Sequence, residues 1–464
     1  MTPRSFVVPL IALLAAPAAA RAQGPAPPAS LLHGVPGQTA PTAEPLPLSL
    51  ADAVHRGLDH NLAVIVQEQQ VATASSERLR ALSDLLPHAD VSVTQSTQIL
   101  NTAAFGFNGF GGLPNLIGPF GVFDARLRVS APLVDLNALH ALQSERAADQ
   151  AAAADLGDVR ETVVLAVGNV YLEARADESR VAAAQAQVTT ADALVRLAED
   201  QNAAGLVARI DVVGQQVQQQ LARAALIRAQ NALAKHELQL ARAIGLPAGQ
   251  AITLTDTAAF SPAPDIELDA AVTEATAHRN DLKAARARAE SARADRAAAV
   301  AKMLPSLYMN ADVGTLGNTA AGSLRTYTVA ARVRVQVFEG GANRAGIARA
   351  DALVKQREAE LADVEAGVRY EISEALLDLK GAAAAVDVAR QQQTLAQDEL
   401  RQAQDRFQAG VATSVELVQA QDAVARGSEQ YIESVYEHNL AKARLARALG
   451  EVESRFLDLV GGSR

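Results

Sequence analysis

Strict alternation of apolar and polar residues marks four segments of the chain. In residues 326–337, "TYTVAARVRVQV", every odd-numbered residue is apolar and nearly every even-numbered residue is polar. Residues 123–133, "FDARLRVSAPL", follow the same pattern, and a shorter alternating run precedes each segment. Successive side chains of a strand point to opposite faces, so this pattern predicts four β-strands, each with one apolar and one polar face. We group them into two hairpins, at about 89–133 and 307–338.

Two much longer segments, at about 138–203 and 342–409, contain no proline and carry apolar residues at helical spacing. They predict α-helices of about 65 residues, roughly 100 Å long. Extra spacings of four within 364–372 depart from the strict heptad of a two-stranded coiled coil. We therefore expect each helix to pack on two neighbours, like a stave in a cylinder. A shorter returning helix follows each one, at about 211–244 and 414–449.

The order of these elements occurs twice. A helix ends at Leu-Pro before each hairpin, at Pro87 and Pro305, and each long helix ends at a glycine, Gly205 or Gly410. The paired landmarks lie 205 to 218 residues apart, which indicates an internal two-fold sequence duplication. We divide the chain accordingly into a first structural repeat, an equatorial linker and a second structural repeat: 48–247, 248–266 and 267–451.

The two ends of the chain carry different signals. Arg4, the apolar run "FVVPLIALLAA" and the small residues around Arg21 predict a secretory signal peptide, residues 1–22. The apolar run is well short of the ~20 residues that a membrane anchor needs. We expect residues 23–47 to form a proline-rich linker and residues 452–464 a C-terminal tail.

Composition narrows the possible functions. Loss of Arg4 and Arg21 with the signal peptide changes the formal charge from −10 to −12, which disfavours nucleic acid as a partner. The chain has no cysteine and therefore no disulfides. Its eight histidines show no metal-binding spacing in the sequence, and no catalytic constellation occurs. We expect neither an enzyme nor a protein that needs a cofactor.

The predicted strands, of about 9–13 residues, have the length to span a bilayer with one face toward lipid. Four strands cannot close a barrel, and an open sheet edge in lipid leaves backbone groups without hydrogen bonds. The smallest single-chain barrels have about eight strands, so a barrel would have to be shared between subunits. The alternative is a half-buried sheet of a soluble domain, which gives the same alternation.

The duplicated layout resembles one known family. The "LLP" and "MLP" helix ends, the two glycine turns and the closing "LAKARLARALG" are similar to those of outer membrane efflux proteins of the TolC type, over roughly 48–451. The resemblance implies a mainly α fold with a small β part. It implies a homotrimer whose 12-stranded outer membrane β-barrel continues into a 12-stave periplasmic α-helical barrel. The implied location is the outer membrane of a Gram-negative bacterium, with a large periplasmic portion.

The resemblance implies one task, and two alternatives to that task stay open. The protein would be the exit duct of a tripartite efflux pump, in contact with outer membrane lipid. It would passively conduct small toxic compounds or drugs from a periplasmic adaptor and a proton-driven or ATP-driven inner membrane transporter. The same fold would also serve type I protein secretion. The third possibility is a periplasmic coiled-coil scaffold whose hairpins are only joints, and it predicts a protein that is extracted without detergent.

The resemblance assigns docking of the adaptor to the two glycine turns. These turns comprise Gly205, Leu206, Val207, Gly410, Val411 and Ala412. An acid follows each glycine by six residues, Asp211 in the first turn and Glu416 in the second. From the residues alone, both acids stabilise the N-terminus of a returning helix, and "TSVE", residues 413–416, fits a capping box. In a trimer each acid would also form a ring of three at a tunnel mouth.

The resemblance further assigns a constriction at the tunnel entrance to Asp211, Phe407, Glu416, Gln419 and Arg209. Asp211 matches an acid of that constriction, and Phe407 matches an aromatic residue that helps to close the tunnel. Ala412 stands where the family has a tip arginine, a role in which the nearby Arg209 could substitute. Gln419 stands where a second inward acid would complete a narrow ring. We therefore expect weaker cation blockage at the entrance.

The polar face of the strands carries charges that would line the lumen of a shared barrel. They are Arg126, Arg128, Arg332, Arg334, Asp90 and Asp312, with Asp124 as a further acidic partner. One interpretation is that cross-strand ion pairs stabilise the lumen. The other is that the arginines favour anionic or zwitterionic cargo.

Overall fold

The computed structural model describes residues 31–36, 42, 44–105, 114–256, 260–262, 266–453 and 455–456. The expected signal peptide, 1–22, lies outside them. Within them the chain is mostly helical with a small sheet part, as the sequence predicted.

Eight α-helices and six strands follow one another in the described part of the chain. The helices are α1 Leu50–His60, α2 Leu62–Ser83, α3 Leu136–Ala203, α4 Arg209–Ala243, α5 Leu268–His278, α6 Asn280–Ala301, α7 Ala342–Gln408 and α8 Ser414–Leu449. The strands are β1 Leu46–Leu48, β2 His88–Asn101, β3 Leu116–Val134, β4 Ile252–Leu254, β5 Ser306–Gly317 and β6 Leu324–Arg334. The two longest helices, α3 and α7, have 68 and 67 residues.

Four strands form one antiparallel sheet in the order β2-β3-β5-β6. Its register aligns an apolar row across all four strands: Val91, Leu127, Val313 and Tyr327. The next row, on the opposite face, consists of Asp90, Arg128, Asp312 and Thr328. The alternation in the sequence thus becomes one apolar and one polar face. Strands β2 and β6 are the sheet's two edges, and neither pairs with a further strand among the described residues.

The second hairpin is shorter than predicted. Strand β6 ends at Arg334. Residues 335–337, which continue the alternation, and Phe338, the last residue of the expected hairpin, are not in a strand. Arg334 pairs with Ser306, the first residue of β5. The residue before Ser306 is Pro305, which has no amide hydrogen with which to extend the hydrogen bonding between β5 and β6.

The long helices pack as antiparallel pairs, α3 with α4 and α7 with α8. Helix α8 also contacts α3, and α6 lies between α3 and α7. Alanine is frequent among the buried residues of these helices, and in α6 every buried residue except Leu282 is an alanine. Small side chains let neighbouring helices approach closely over a long distance. None of the described helices is both long enough and apolar enough to cross a membrane.

The main hydrophobic core lies where α1 and α3 meet the β1–β4 pair. Tyr171 of α3 is almost fully buried there and donates a hydrogen bond to Oδ2 of Asp256, 2.9 Å away. Two boundaries differ from the expected ones. Leu46 and Pro47, assigned to the linker 23–47, are part of β1 because they pair with β4. Val452 and Phe456, assigned to the tail 452–464, are fully buried in this core because they are apolar.

Candidate functional site

The helix pairs α3–α4 and α7–α8 turn at Gly205 and Gly410. Both glycines have a positive φ, 74° and 72°, which is the left-handed conformation that ends many helices. In each turn the next residue, Leu206 or Val411, donates its amide hydrogen to a carbonyl five residues earlier, at 2.8 and 2.9 Å. The two turns are therefore closed in the same way.

A small apolar cluster lies beneath the turns. It consists of Leu194, Ala403, Phe407, Leu417 and Ala420, and we call it the tip cluster. Phe407 is only 1% exposed, and its backbone carbonyl accepts a hydrogen bond from Nε2 of Gln201, 3.1 Å away. Within one chain, Phe407 thus joins α3, α7 and α8 and presents almost no surface of its own. Its expected part in closing a tunnel stays a prediction.

The turns expose apolar side chains beside this cluster. Leu206, Ile210, Val411 and Val415 are each more than 60% exposed. Val207 and Ala412 instead pack against the tip cluster. The six residues expected to dock an adaptor therefore divide into two exposed apolar side chains, two packed ones and the two glycines.

Asp211 connects the two turns. Its Oδ2 accepts a hydrogen bond from the amide of Ala208 at 3.2 Å, which caps the start of α4. Its Oδ1 accepts a hydrogen bond from the hydroxyl of Ser414 at 2.5 Å, at the first residue of α8. The carboxylate of Asp211 thus stabilises the start of its own helix, α4, and joins it to the neighbouring helix pair, α7–α8. Ser414 lies inside the "TSVE" motif, but no local sequence pattern indicates its contact with a residue 203 positions away.

Glu416 makes a different contact from the one expected. Oγ1 of Thr413 accepts a hydrogen bond from the amide of Glu416 at 3.4 Å, which is the first half of a capping box. The carboxylate of Glu416 does not complete the box. It pairs with Nε of Arg406 at 3.2 Å, because the turn brings the end of α7 beside the start of α8. The expected capping box is therefore present only in part.

The remaining two residues of the expected entrance, Arg209 and Gln419, are exposed at the starts of α4 and α8. Neither side chain has a hydrogen bond or ion pair with another described residue. Asp211 and Glu416 therefore each have partners within the same chain, whereas the side chains of Arg209 and Gln419 lie in solvent.

The charges of the sheet's polar face form ion pairs. Arg126 contacts Asp124 and Asp312, each at 2.6 Å, and its side chain is only 17% exposed. Arg128 lies 3.7 Å from Asp90. These contacts support the interpretation that cross-strand pairs stabilise this face.

The two arginines of β6 differ from those of β3. Arg334 lies over the ring of Tyr308, with its guanidinium carbon 5.6 Å from the ring centre. Arg332 is exposed and has no ion pair with another described residue. The positive charge on β6 is therefore not neutralised by an acid within the described part of the chain.

Comparison with known proteins identifies the family. The model of the outer membrane efflux protein family matches residues 53–246 and 271–451, which is most of the chain. The chain belongs to this family. Its members are outer membrane channel proteins, which are not enzymes.

Two relatives and one solved structure illustrate the similarity. Protein CyaE of Bordetella pertussis is 26% identical over 422 residues, which cover 89% of this chain and 86% of that protein. The pyoverdine export outer membrane protein OpmQ of Pseudomonas aeruginosa is 28% identical over 324 residues, or 67% of this chain, and the match spans 65% of its length. The outer membrane channel OprN superposes with a TM-score of 0.77 at 19% identity, covering 86% of this chain and 89% of OprN. This last likeness concerns the fold.

Proposed function

We propose that this protein is the outer membrane exit duct of a tripartite efflux pump in a Gram-negative bacterium. The duct passively conducts small compounds that an inner membrane transporter delivers through a periplasmic adaptor. It carries out no chemistry itself. The name of its relative OpmQ, a pyoverdine export protein, supports a small exported molecule as cargo.

One observation carries the proposal. A sheet with one apolar and one charged face is continuous with two helix pairs, each built on a helix of 67 or 68 residues. At 1.5 Å per residue such a helix is roughly 100 Å long. The apolar row of the sheet suits lipid, the charged row suits water, and the helices have the length to extend far into the periplasm.

Closure of the channel requires further copies of the chain. The edge strands β2 and β6 present backbone groups that need partners in lipid. We propose that three chains join β6 of one to β2 of the next, giving twelve strands around a common lumen. The duplicated repeats 48–247 and 267–451 then each contribute helices to the wall below it.

The turns at Gly205 and Gly410 are the proposed docking surface for the adaptor. The exposed Leu206 and Val411 offer it apolar contacts, and no described residue of the chain covers them. The proposed tunnel entrance lies next to these turns, where the trimer would contain three copies each of Asp211 and Glu416.

The experiment is complementation in a strain that lacks its own exit duct but keeps the adaptor and transporter. We expect the wild-type chain to restore export of a fluorescent substrate and drug resistance. Leu206→Asp with Val411→Asp should abolish export while leaving a trimer that is extracted only by detergent. The matched control, Leu206→Met with Val411→Ile, should retain export.

Three outcomes would contradict the proposal. Extraction of the protein without detergent would indicate a periplasmic scaffold. Loss of secreted polypeptides without any change in drug resistance, after deletion of the gene in its host, would indicate protein secretion. Full export by the variant with both Leu206→Asp and Val411→Asp would show that the turns are not the docking surface for the adaptor.

The entrance gives a second test, in planar bilayers. Gln419 leaves the proposed ring without a second inward acid, so divalent and trivalent cations should block the wild-type conductance only weakly. Gln419→Asp should create strong block, and Gln419→Asn should not. Strong block of the wild type would contradict this part of the proposal.

A further inference from the structure

Three side chains with metal-binding atoms converge at the junction of α5 with the end of α8. Glu274 and His278 are four residues apart on α5, so they lie on the same face of that helix. Glu451 follows Gly450, the residue that caps the end of α8. One ligand atom from each of the three residues lies within 4.8 Å of the other two. The sequence separates Glu451 from the other two ligands by more than 170 residues, which explains why no metal-binding spacing was recognised.

The backbone at Gly450 makes this convergence possible. Gly450 ends α8 with a φ of 76°, and a Cβ there would lie 2.8 Å from Cα of Arg279. The end of α8 therefore rests directly on the α5–α6 turn, which places Glu451 beside His278. The turn is itself fixed, because the buried guanidinium of Arg279 pairs with Asp281 at 2.5 Å and with Glu371 at 2.6 Å.

A positively charged side chain, that of Arg455, already occupies part of this cluster. The guanidinium of Arg455 pairs with Glu274, and its Nε lies 2.5 Å from Oε2 of Glu451. The neighbouring Phe456 is fully buried and anchors the backbone, whereas the side chain of Arg455 is 38% exposed. The guanidinium can therefore rotate into solvent without unfolding the C-terminal segment.

We propose that Glu274, His278 and Glu451 bind a divalent transition-metal ion, with Arg455 as an internal competitor that the metal displaces. An imidazole nitrogen with two carboxylates is a ligand set that suits Zn²⁺ and its neighbours in the first transition series. Tetrahedral Zn²⁺ places its ligand atoms about 3.4 Å apart, given bonds of about 2.0–2.1 Å. Nδ1 of His278 is already 3.0 Å from Oε1 of Glu451, so rotations of the side chains suffice to complete the site.

The metal would fasten α5 to the end of α8. Ala271 and Ala275 of α5 pack against Leu445 and Leu449 of α8 in a second apolar cluster, immediately beside the proposed ligands. His278 is half exposed, which leaves room for a water molecule as the fourth ligand. The site would therefore stabilise the beginning and the end of the second repeat against each other.

The test uses the full-length protein in detergent, freed of metal with a chelator. Zn²⁺ affinity is measured by competition with a chromophoric chelator, and Co²⁺ supplies an absorption spectrum that reports its ligand geometry. We expect one Zn²⁺ per chain and a tetrahedral Co²⁺ spectrum. His278→Gln and Glu451→Gln should each weaken binding at least about tenfold. The exposed His55 on α1 provides the matched control, and His55→Gln should change nothing.

Arg455→Gln gives the distinguishing result. Removal of the competing guanidinium should tighten Zn²⁺ binding and raise the metal-dependent gain in melting temperature, whereas a purely structural salt-bridge network predicts no metal binding in any variant. Substoichiometric Zn²⁺ binding, or binding unaffected by His278→Gln and Glu451→Gln, would overturn the proposal. Circular dichroism of each variant checks that the helices remain folded, and none of these outcomes depends on whether the protein exports anything.

Discussion

The hydroxyl of Ser414 donates a hydrogen bond to Oδ1 of Asp211, 2.5 Å away, although the two residues are 203 positions apart in the sequence. The contact joins the first residue of α8 to the first turn of α4. Each helix pair therefore holds the position of the other at the point where an adaptor is proposed to dock. A hydrogen bond to a charged group typically contributes about 1.5–3 kcal/mol, and partial exposure favours the lower end of that range.

The two contacts of Asp211 can be separated by substitution. Ser414→Ala should remove only the contact between the helix pairs, whereas Asp211→Ala should also remove the cap on Ala208. We expect hydrogen exchange at the amide of Ala208 to accelerate in Asp211→Ala and to stay slow in Ser414→Ala. Exchange at the amides of Leu206 and Val411, which close the two turns, should accelerate in both variants. Equal exchange at Ala208 in the two variants would show that the carboxylate does not cap α4.

The two turns should require glycine because of its backbone conformation, and not because a larger side chain would lack space. No atom lies within 4 Å of a Cβ built at Gly205 or Gly410, yet both have a positive φ. Alanine in the left-handed region costs roughly 1–2 kcal/mol, so Gly410→Ala should lower the free energy of unfolding by about that amount. The control is Gly381, inside α7 and equally uncrowded. Gly381→Ala should stabilise the protein by roughly 0.5–1 kcal/mol, and thermal unfolding in detergent measures both variants.

The start of α8 should depend more on Thr413 than on Glu416. Thr413→Ala removes the side-chain cap on the helix and should cost about 1 kcal/mol. Glu416→Gln removes an exposed ion pair with Arg406, whose contribution should not exceed about 1 kcal/mol and should fall with added salt. A larger, salt-sensitive loss in Glu416→Gln than in Thr413→Ala would contradict this ranking.

The sequence predicted elements with strong periodicity better than contacts between distant elements. Alternation placed Val91, Leu127 and Tyr327 on one face, because a strand fixes side-chain direction residue by residue. The burial of Phe407 could not be predicted in this way, since it depends on how α3 approaches α7 and α8. The pairing of Glu416 with Arg406 was missed for a similar reason, because the local "TSVE" signal competes with a charge that only the folded turn brings near.

The two arginines Arg126 and Arg332 should behave differently when replaced by serine. Arg126→Ser leaves Asp124 and Asp312 close together without their shared cation, and should lower the free energy of unfolding more than Arg332→Ser does. Arg332→Ser breaks no ion pair among the described residues and should cost less than about 0.5 kcal/mol. If the polar face lines the proposed lumen, reversal potentials should shift toward cation selectivity in both variants. A shift in neither variant would place this face away from the ion pathway.

Lys442 of α8 should make stability depend on pH in the alkaline range. Its ammonium is almost fully buried and donates a hydrogen bond to Oγ of Ser261, 2.7 Å away. Burial lowers the pKa of Lys442 from its usual 10.5 to about 8. Between these two values the unfolded chain binds more protons at this position than the folded chain, so the folded state gains stability as pH rises through this window.

A comparison of Lys442→Met with the wild type isolates this effect, because both chains share every other titrating group. The nearby His438, whose pKa burial lowers from 6.5, is already neutral in the folded state above pH 7 and does not contribute in this range. We expect the melting temperature of the wild type, relative to that of Lys442→Met, to rise between pH 7 and pH 10. Lys235→Met, at an exposed position on α4, should show a constant difference from the wild type over the same range. A constant difference for Lys442→Met as well would mean that the buried ammonium is not penalised by its surroundings, and that the folded protein keeps its proton as readily as the unfolded chain.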